Sequence, residues 1–448
     1  MELNQYNFRL AMKEVTKSKM VIISTYLMLL SYFYNLPFFT YSARGSNDLW
    51  LYDFAGMMVM YLYIKNLKLV NNLIENNKAL NNLFHFLMWA NIMVIPTIID
   101  SIINNKIFWA LQSLKYLFHF WVFFLTTIFL IIIIQDKKQL KRIVTFCLVC
   151  ACTTFLIVIL QNFGVIPFLW SETFSKAYDG FLSGSLGPNK IVLGMTTLMI
   201  FTLCMGLLND KRVILNKGLI ITTIILSILA LAYSGSRTSY LGLLVFLAYF
   251  FIKETLSFIY SAIIFALLIF VVSSINPKVL TKATDVYEAR VERKIKRPND
   301  FSVSNVDEVY QDLGSGRKDL SRLYINYLID NPFIIPFGLG FNNRLALTSS
   351  AHNTYLNLIN EVGIVGVFFY FRWLFTYLSL KMTGFPQMRN ALKGLVVSML
   401  VTLAFGEHLY IYRSLFGLLG LFLFVTALLL SPSLILPDEK KEIDKTIE

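Results

Sequence analysis

Hydrophobic residues run along this chain in long blocks rather than in alternation with polar ones. A helix needs about 20 apolar residues to cross a bilayer. Blocks of roughly that length recur near 20–41, 49–64, 81–100, 107–134, 143–168, 190–208, 218–234, 238–252, 256–276, 354–378, 391–410 and 413–431. Continuous runs predict helices, whereas a membrane β-barrel would alternate apolar and polar positions. The pattern therefore predicts an all-α, polytopic membrane protein with about twelve transmembrane helices. One polar block, 277–351, interrupts it between the ninth and tenth runs. The chain divides accordingly into an N-terminal bundle 1–276, a large loop 277–351, C-terminal helices 352–431 and a tail 432–448. No internal repeat is visible, which counts against architectures built from inverted halves.

Composition agrees with this pattern. The chain is 56% hydrophobic and 15% charged, with mean hydropathy +0.62, where a soluble domain carries about 25% charged residues. A formal net charge of +13 would suit nucleic acid, but most basic clusters sit between apolar runs, where they orient membrane proteins. With the N-terminus in the cytoplasm, inner segments hold Arg9, Lys13, Lys17 and Lys19, then Lys65, Lys68 and Lys78, then Lys137, Lys138, Lys141 and Arg142. Lys211, Arg212, Lys217, Lys253, Lys381, Arg389 and the tail lysines continue the series, while short outer loops hold only Arg44, Lys106, Lys176, Lys190, Arg237 and Arg413. Both termini are expected to be cytoplasmic and 277–351 extracytoplasmic. The first 19 residues are polar and basic, so no cleavable signal is expected. Cys147, Cys150, Cys152 and Cys204 all lie in apolar runs, with no histidine or carboxylate close to the CxxC spacing; they read as small packing residues.

The loop has three parts. "KVLTKATDVYEARVERKIKRPND" is charged and helix-compatible, and "FSVSNVDEVYQDLGSG" is turn-rich. "RKDLSRLYINYLIDNPF" places Leu320, Leu323, Tyr324, Tyr327 and Leu328 at the spacing of an amphipathic helix, which Asn331-Pro332 ends. Gly338-Leu-Gly340 then supplies a permissive turn.

Beyond it, Asn353, Asn357, Asn360 and Glu361 fall on one face of the tenth apolar run, and Gly363 and Gly366 admit a close neighbour. An ionisable residue this deep is expected to line a protein interior or wet cavity and is a functional candidate; a polar stripe that only joins helices is the alternative. His352 sits at the membrane boundary, where an imidazole can serve as general base, with Asn353 beside it to orient a hydroxyl. His85 and His119 lie in apolar runs and are expected to be packed and partnered. His408, next to Glu407, ranks second as a base. Arg237 occupies a short turn, "AYSGSRTSYLG", and Arg317 follows a Gly-Ser-Gly turn at a helix start. Paired arginines on one side of a membrane could grip a diphosphate with forked hydrogen bonds; solvated arginines are the alternative. Asn189, in "GPNKIVLGM", opens the sixth run.

Taken in order, "GPNKIVLGM", "SGSRTSYLGL", "GSGRKDLSRLYINYLIDNPFIIPFGLGFNN" and "AHNTYLNLINEVGIVGVFFYF" resemble the O-antigen polymerase (Wzy) and O-antigen ligase family, over roughly residues 180–375. The resemblance implies a GT-C-type membrane glycosyltransferase in the bacterial cytoplasmic membrane, working on its outer face. By position, Arg237 and Arg317 would hold the undecaprenyl diphosphate of a lipid-linked donor, and His352 would accept or orient the attacking hydroxyl. Asn189, Gly340, Asn353, Asn357 and Glu361 would line the substrate site. The resemblance implies no cofactor and no metal, and the residue inventory agrees with it: the outer face lacks a clustered set of Asp and Glu ligands; arginine would stabilise the leaving diphosphate instead.

The expected activity is polymerisation of lipid-linked oligosaccharide repeat units for capsule, exopolysaccharide or O-antigen. The growing glycan would pass to the non-reducing end of a new lipid-linked repeat. Expected partners are the lipid-linked donor and acceptor, with a chain-length regulator and a flippase of the same pathway, and no nucleic acid. A ligase of the same family differs only in acceptor. A lipid-linked oligosaccharide flippase, from a different class, would carry charges in several central spans and no large outer loop.

Overall fold

The computed structural model describes residues 12, 14–35, 37–39, 49–134, 137–169, 184–187, 189–210, 215–251, 266, 317–343, 345–347, 351–379, 385–410 and 416–430. In chain order, α1 (Lys19–Phe33) leads through a short ribbon, β1 (Pro37–Phe39) and β2 (Leu49–Trp50), into α2 (Leu51–Lys65). Then follow α3 (Leu67–Asn76), α4 (Lys78–Ile103), α5 (Ile107–Ile133), α6 (Lys137–Asn162), α7 (Lys190–Asn209), α8 (Lys217–Ser234) and α9 (Arg237–Phe250). The C-terminal part holds α10 (Arg317–Asp330), α11 (Ile334–Phe337), α12 (Thr354–Ser379), α13 (Pro386–Thr402) and α14 (Phe416–Leu430).

Among the described residues, seven helices are long and apolar enough to cross a membrane: α4 to α8, α12, and α13 with its 3₁₀ extension to Phe405. Shorter apolar helices at Lys19–Phe33, Arg237–Phe250 and Gly417–Leu428 stand at three more of the apolar runs. The run 256–276 lies outside the described residues apart from Ala266, as do the first two parts of the polar loop and the tail 432–448.

Asparagine and serine at the turns have a structural use. The side chains of Asn77, Asn189, Asn216, Ser236 and Asn353 each accept from backbone N–H groups of the first helical turn that follows. Such groups have no partner inside the helix, so a cap at this position stabilises it by about 1 kcal/mol. Between α8 and α9, Gly235 adopts φ 59, a left-handed end that turns the chain within three residues.

Three elements depart from the apolar pattern. The first apolar run extends over 20–41, but α1 stops at Phe33. There Asn35 turns its N–H to Ser185 O, and Pro37, which has no N–H, opens the ribbon instead of prolonging a helix. Between Lys65 and Lys78, where the pattern predicts only a connection, α3 buries Leu69, Val70, Leu73 and Ile74 on one face. The run 391–410 ends as a helix at Thr402, and Gly406–Tyr410 form a buried turn.

Close contacts align the helix ends. Ser398 Oγ donates to Gly242 O, tying the first turns of α9 to the last of α13. A Cβ on Gly194 would strike Ser236 and Ser239, so α7 and α9 also begin side by side. Thr354 Oγ1 donates to Gly406 O, which puts the start of α12 at the same end. At the opposite end, Asn390 Nδ2 donates to Phe250 O.

Candidate functional site

The site is organised by a break in α12. Gly363 has φ 66 and ψ −176 inside an otherwise helical stretch, a conformation essentially confined to glycine that costs any other residue about 1–3 kcal/mol. The break disturbs the ladder, and carbonyls just before it take donors from elsewhere. Asn360 O accepts from Leu339 N, Glu361 O from Gly340 N, and Val362 O from Trp89 Nε1. A Cβ on Gly363 would collide with the backbone of Pro336 and Phe337, so glycine also makes room for α11.

The segment 333–343 thereby enters the bundle between α4, α5 and α12. Phe337 lies against Trp89, ring centroids 6.3 Å apart. Phe341 N donates to Met93 O, while Phe341 O accepts from Thr97 Oγ1 and Ser113 Oγ. Asn343 Nδ2 donates to Asp100 Oδ2 at 2.9 Å. From Asp100 back to Trp89 along α4 is about 16 Å at the helical rise, which is how far this end of the segment descends. Irregular backbone at membrane depth persists only where protein covers its polar groups, and here neighbouring helices do so. Phe333 and Phe337 are exposed, like Ile92, Ile95 and Ile99 of α4 and Ile364 and Phe368 of α12. Gly338 and Gly340, both at positive φ, are the points of closest approach: a Cβ would meet Glu361 and Val362 at the first and Thr97 at the second. Gly340, expected to line the substrate site, is thus committed to contact between backbones.

His352 is half-buried and has φ 50, in a left-handed conformation uncommon for a residue other than glycine. Its neighbours fix it. Ala351 N donates to Asn357 Oδ1 at 3.3 Å, and Asn353 caps α12 through Tyr355 N and Leu356 N. Tyr324 of α10, buried, packs against Leu347 and Ala351, so the helix that Arg317 begins rests on the stretch carrying His352. Arg237 is exposed in the first turn of α9, whose N-terminus favours anions. Asn189 is buried and caps α7 through Ile191 N.

The polar face expected on α12 is present, but it is not wet. Asn357, Asn360 and Glu361 are buried at 0%, 2% and 3% exposure. Glu361 Oε2 accepts from Asn342 N at 3.0 Å and Tyr410 Oη at 2.9 Å. The inserted segment and the 406–410 turn cover this face, a closure that needs Gly338, Gly340 and Gly363 together. Asn342, at φ 53, and Tyr410 are not among the residues that the sequence motifs single out; "FNN" directly after Gly-Leu-Gly is the available signal for the first.

The other histidines separate clearly. His408 is fully buried, shares a hydrogen bond between Nε2 and Thr402 Oγ1, and burial pushes its imidazole down to about 3. A group held neutral inside a turn is poorly placed as a base, so the second-ranked candidate loses its standing. His119 is packed and partnered as expected, with Nε2 donating to Asp53 Oδ1 at 2.6 Å. His85 bonds Asn81 O but is exposed, stacked near Phe369, rather than packed within the bundle.

The fold and site define an all-α, multi-pass membrane protein with a polar site at one end of its helices. Residues 222–371 match the Wzy_C family model, described as O-Antigen ligase, which supports membership of the O-antigen polymerase and ligase family. The matched stretch contains Arg237, Arg317, Gly340, His352, Asn353, Asn357 and Glu361, while Asn189 lies before it. No curated protein and no solved structure matches the chain.

Proposed function

We propose that the protein polymerises oligosaccharide repeat units carried on undecaprenyl diphosphate, on the outer face of a bacterial cytoplasmic membrane. Members of this family process glycans in membranes, and lipid-linked glycans are the substrates that follow. The observation that carries the residue assignment is that Arg237, the α10 helix begun by Arg317 and the strained His352 hang on elements joined at one end of the bundle.

In this reading the guanidinium groups of Arg237 and Arg317 hold the donor diphosphate by forked, charge-assisted hydrogen bonds. His352 takes the proton of an acceptor hydroxyl as its oxygen bonds to the anomeric carbon. The bond from that carbon to the diphosphate oxygen breaks, and the electron pair leaves with the diphosphate. Arginine stabilises the charge gathering there, the part a divalent metal plays elsewhere. Asn357 holds the residue before His352 and Asn353 caps the helix after it, while Gly340 and Glu361 belong to the frame beneath. Asn189 marks the neighbouring helix start.

A ligase would share the donor grip and differ in acceptor. Purified protein supplied only with lipid-linked repeat units, without nucleotide sugar or added metal, is expected to yield a ladder of longer lipid-linked products. Absence of a ladder, with transfer to a different lipid acceptor, would replace polymerase by ligase.

A further inference from the structure

We infer that Glu361 is a positioning residue: it latches the segment 338–343, inserted among the helices, to the 406–410 turn and so sets where His352 and the Arg317 helix stand. The inference rests on the polymerase reading for its consequence, though not for its geometry.

Two segments far apart in sequence meet on one carboxylate oxygen. Asn342 N and Tyr410 Oη both donate to Glu361 Oε2, and both residues are buried. The inserted segment is joined on one side to α10, which starts at Arg317 and packs through Tyr324 on Leu347 and Ala351. On its other side the chain returns to His352, whose preceding residue is held by Asn357, one turn before Glu361 on the same face of α12. The 406–410 turn runs along that same face, bonded to Thr354 at one end and Glu361 at the other. Glu361 is therefore the point where the inserted segment, the 406–410 turn and the helix that His352 precedes are held in register. A buried carboxylate is a costly group for this task, but it accepts strongly from two donors at once.

Because both of these hydrogen bonds end on a single oxygen, the amide oxygen of glutamine can replace it. E361Q should keep the latch, and E361A should lose it. The test has two arms. Hydrogen exchange, read on purified protein without substrate, should show faster exchange in peptides covering 338–343 and 406–410 for E361A, and exchange like the wild type for E361Q. Y410F, a smaller cut, should give an intermediate increase if E361A fails to fold. In elongation assays E361A should lose kcat by about 100-fold with little change in KM, the scale expected when a catalytic group is misplaced by an ångström; E361Q should restore most of it.

Unchanged exchange in both E361A and Y410F would overturn the latch. Exchange like the wild type in E361Q, with turnover as poor as in E361A, would also overturn it, because the charge would then act on the chemistry. The exchange arm needs no substrate, so a failure of the polymerase reading leaves its outcome unaffected.

Discussion

At the scale of single residues, histidine shows how position sorts one side chain into different uses. His352, at the start of α12, keeps some exposure and a strained backbone. His408, in a buried turn, is stripped of solvent and held neutral, its imidazole lowered to about 3. That burial has a pH signature. A histidine whose folded pKa lies below its unfolded value of about 6.5 binds fewer protons folded than unfolded. Stability is then complete above about pH 6.5 and is lost as pH falls toward 3, by about 1.4 kcal/mol for each pH unit. Thermal denaturation in detergent between pH 7 and pH 5 should show a steeper loss for the wild type than for H408Q. Equal slopes would mean that His408 gains its proton without penalty.

At the scale of elements, the break in α12 is the feature least visible in the sequence. Gly363 and Gly366 read as admitting a neighbouring helix, and the period of Asn353, Asn357, Asn360 and Glu361 correctly puts the last three on one helical face. What covers that face comes from nineteen or more positions away: Leu339 N, Gly340 N and Asn342 N are bonded to Asn360, Glu361 and the Glu361 carboxylate. Hydrophobic periodicity reports the environment of one helix and carries no information about a partner so distant in the chain. The amphipathic spacing over 320–328 is legible, and Tyr324 is indeed its buried member, whereas Leu323 in the same pattern is exposed. The break itself makes a prediction. G363A adds a methyl group against the α11 backbone at a positive-φ position essentially confined to glycine, so it should cost about 2 kcal/mol or more and lower the melting temperature. A substitution at Gly164, also at positive φ but with open space around it, should cost less. Equal melting temperatures for the two variants would contradict the close packing at Gly363.

At the scale of the whole molecule, apolar run length and charge distribution together are enough for class: an all-α, multi-pass membrane protein. The candidate residues are legible as motifs, and the family match spans most of them. Their frame is not. Burial of Asn357, Asn360 and Glu361 depends on a segment that enters the bundle from a region whose polarity predicts an outer loop, and its polar residues give no sign of that entry. Glu361, Asn342 and Tyr410 are committed to one another. We propose that they form the lower layer of the site and that Arg237, Arg317 and His352 form an upper layer that meets the substrate.

The division of roles in the upper layer is open to one direct measurement. Donor binding and elongation should be followed on the same preparations of wild type, H352A and R237K, with a lipid-linked repeat unit as the ligand. H352A is expected to bind donor as the wild type does while elongation falls by about 100-fold or more, the loss typical of a general base. R237K, which keeps charge but loses the fork, is expected to weaken donor binding itself. Elongation by H352A at the wild-type rate, or loss of donor binding in H352A with none in R237K, would contradict the assignment.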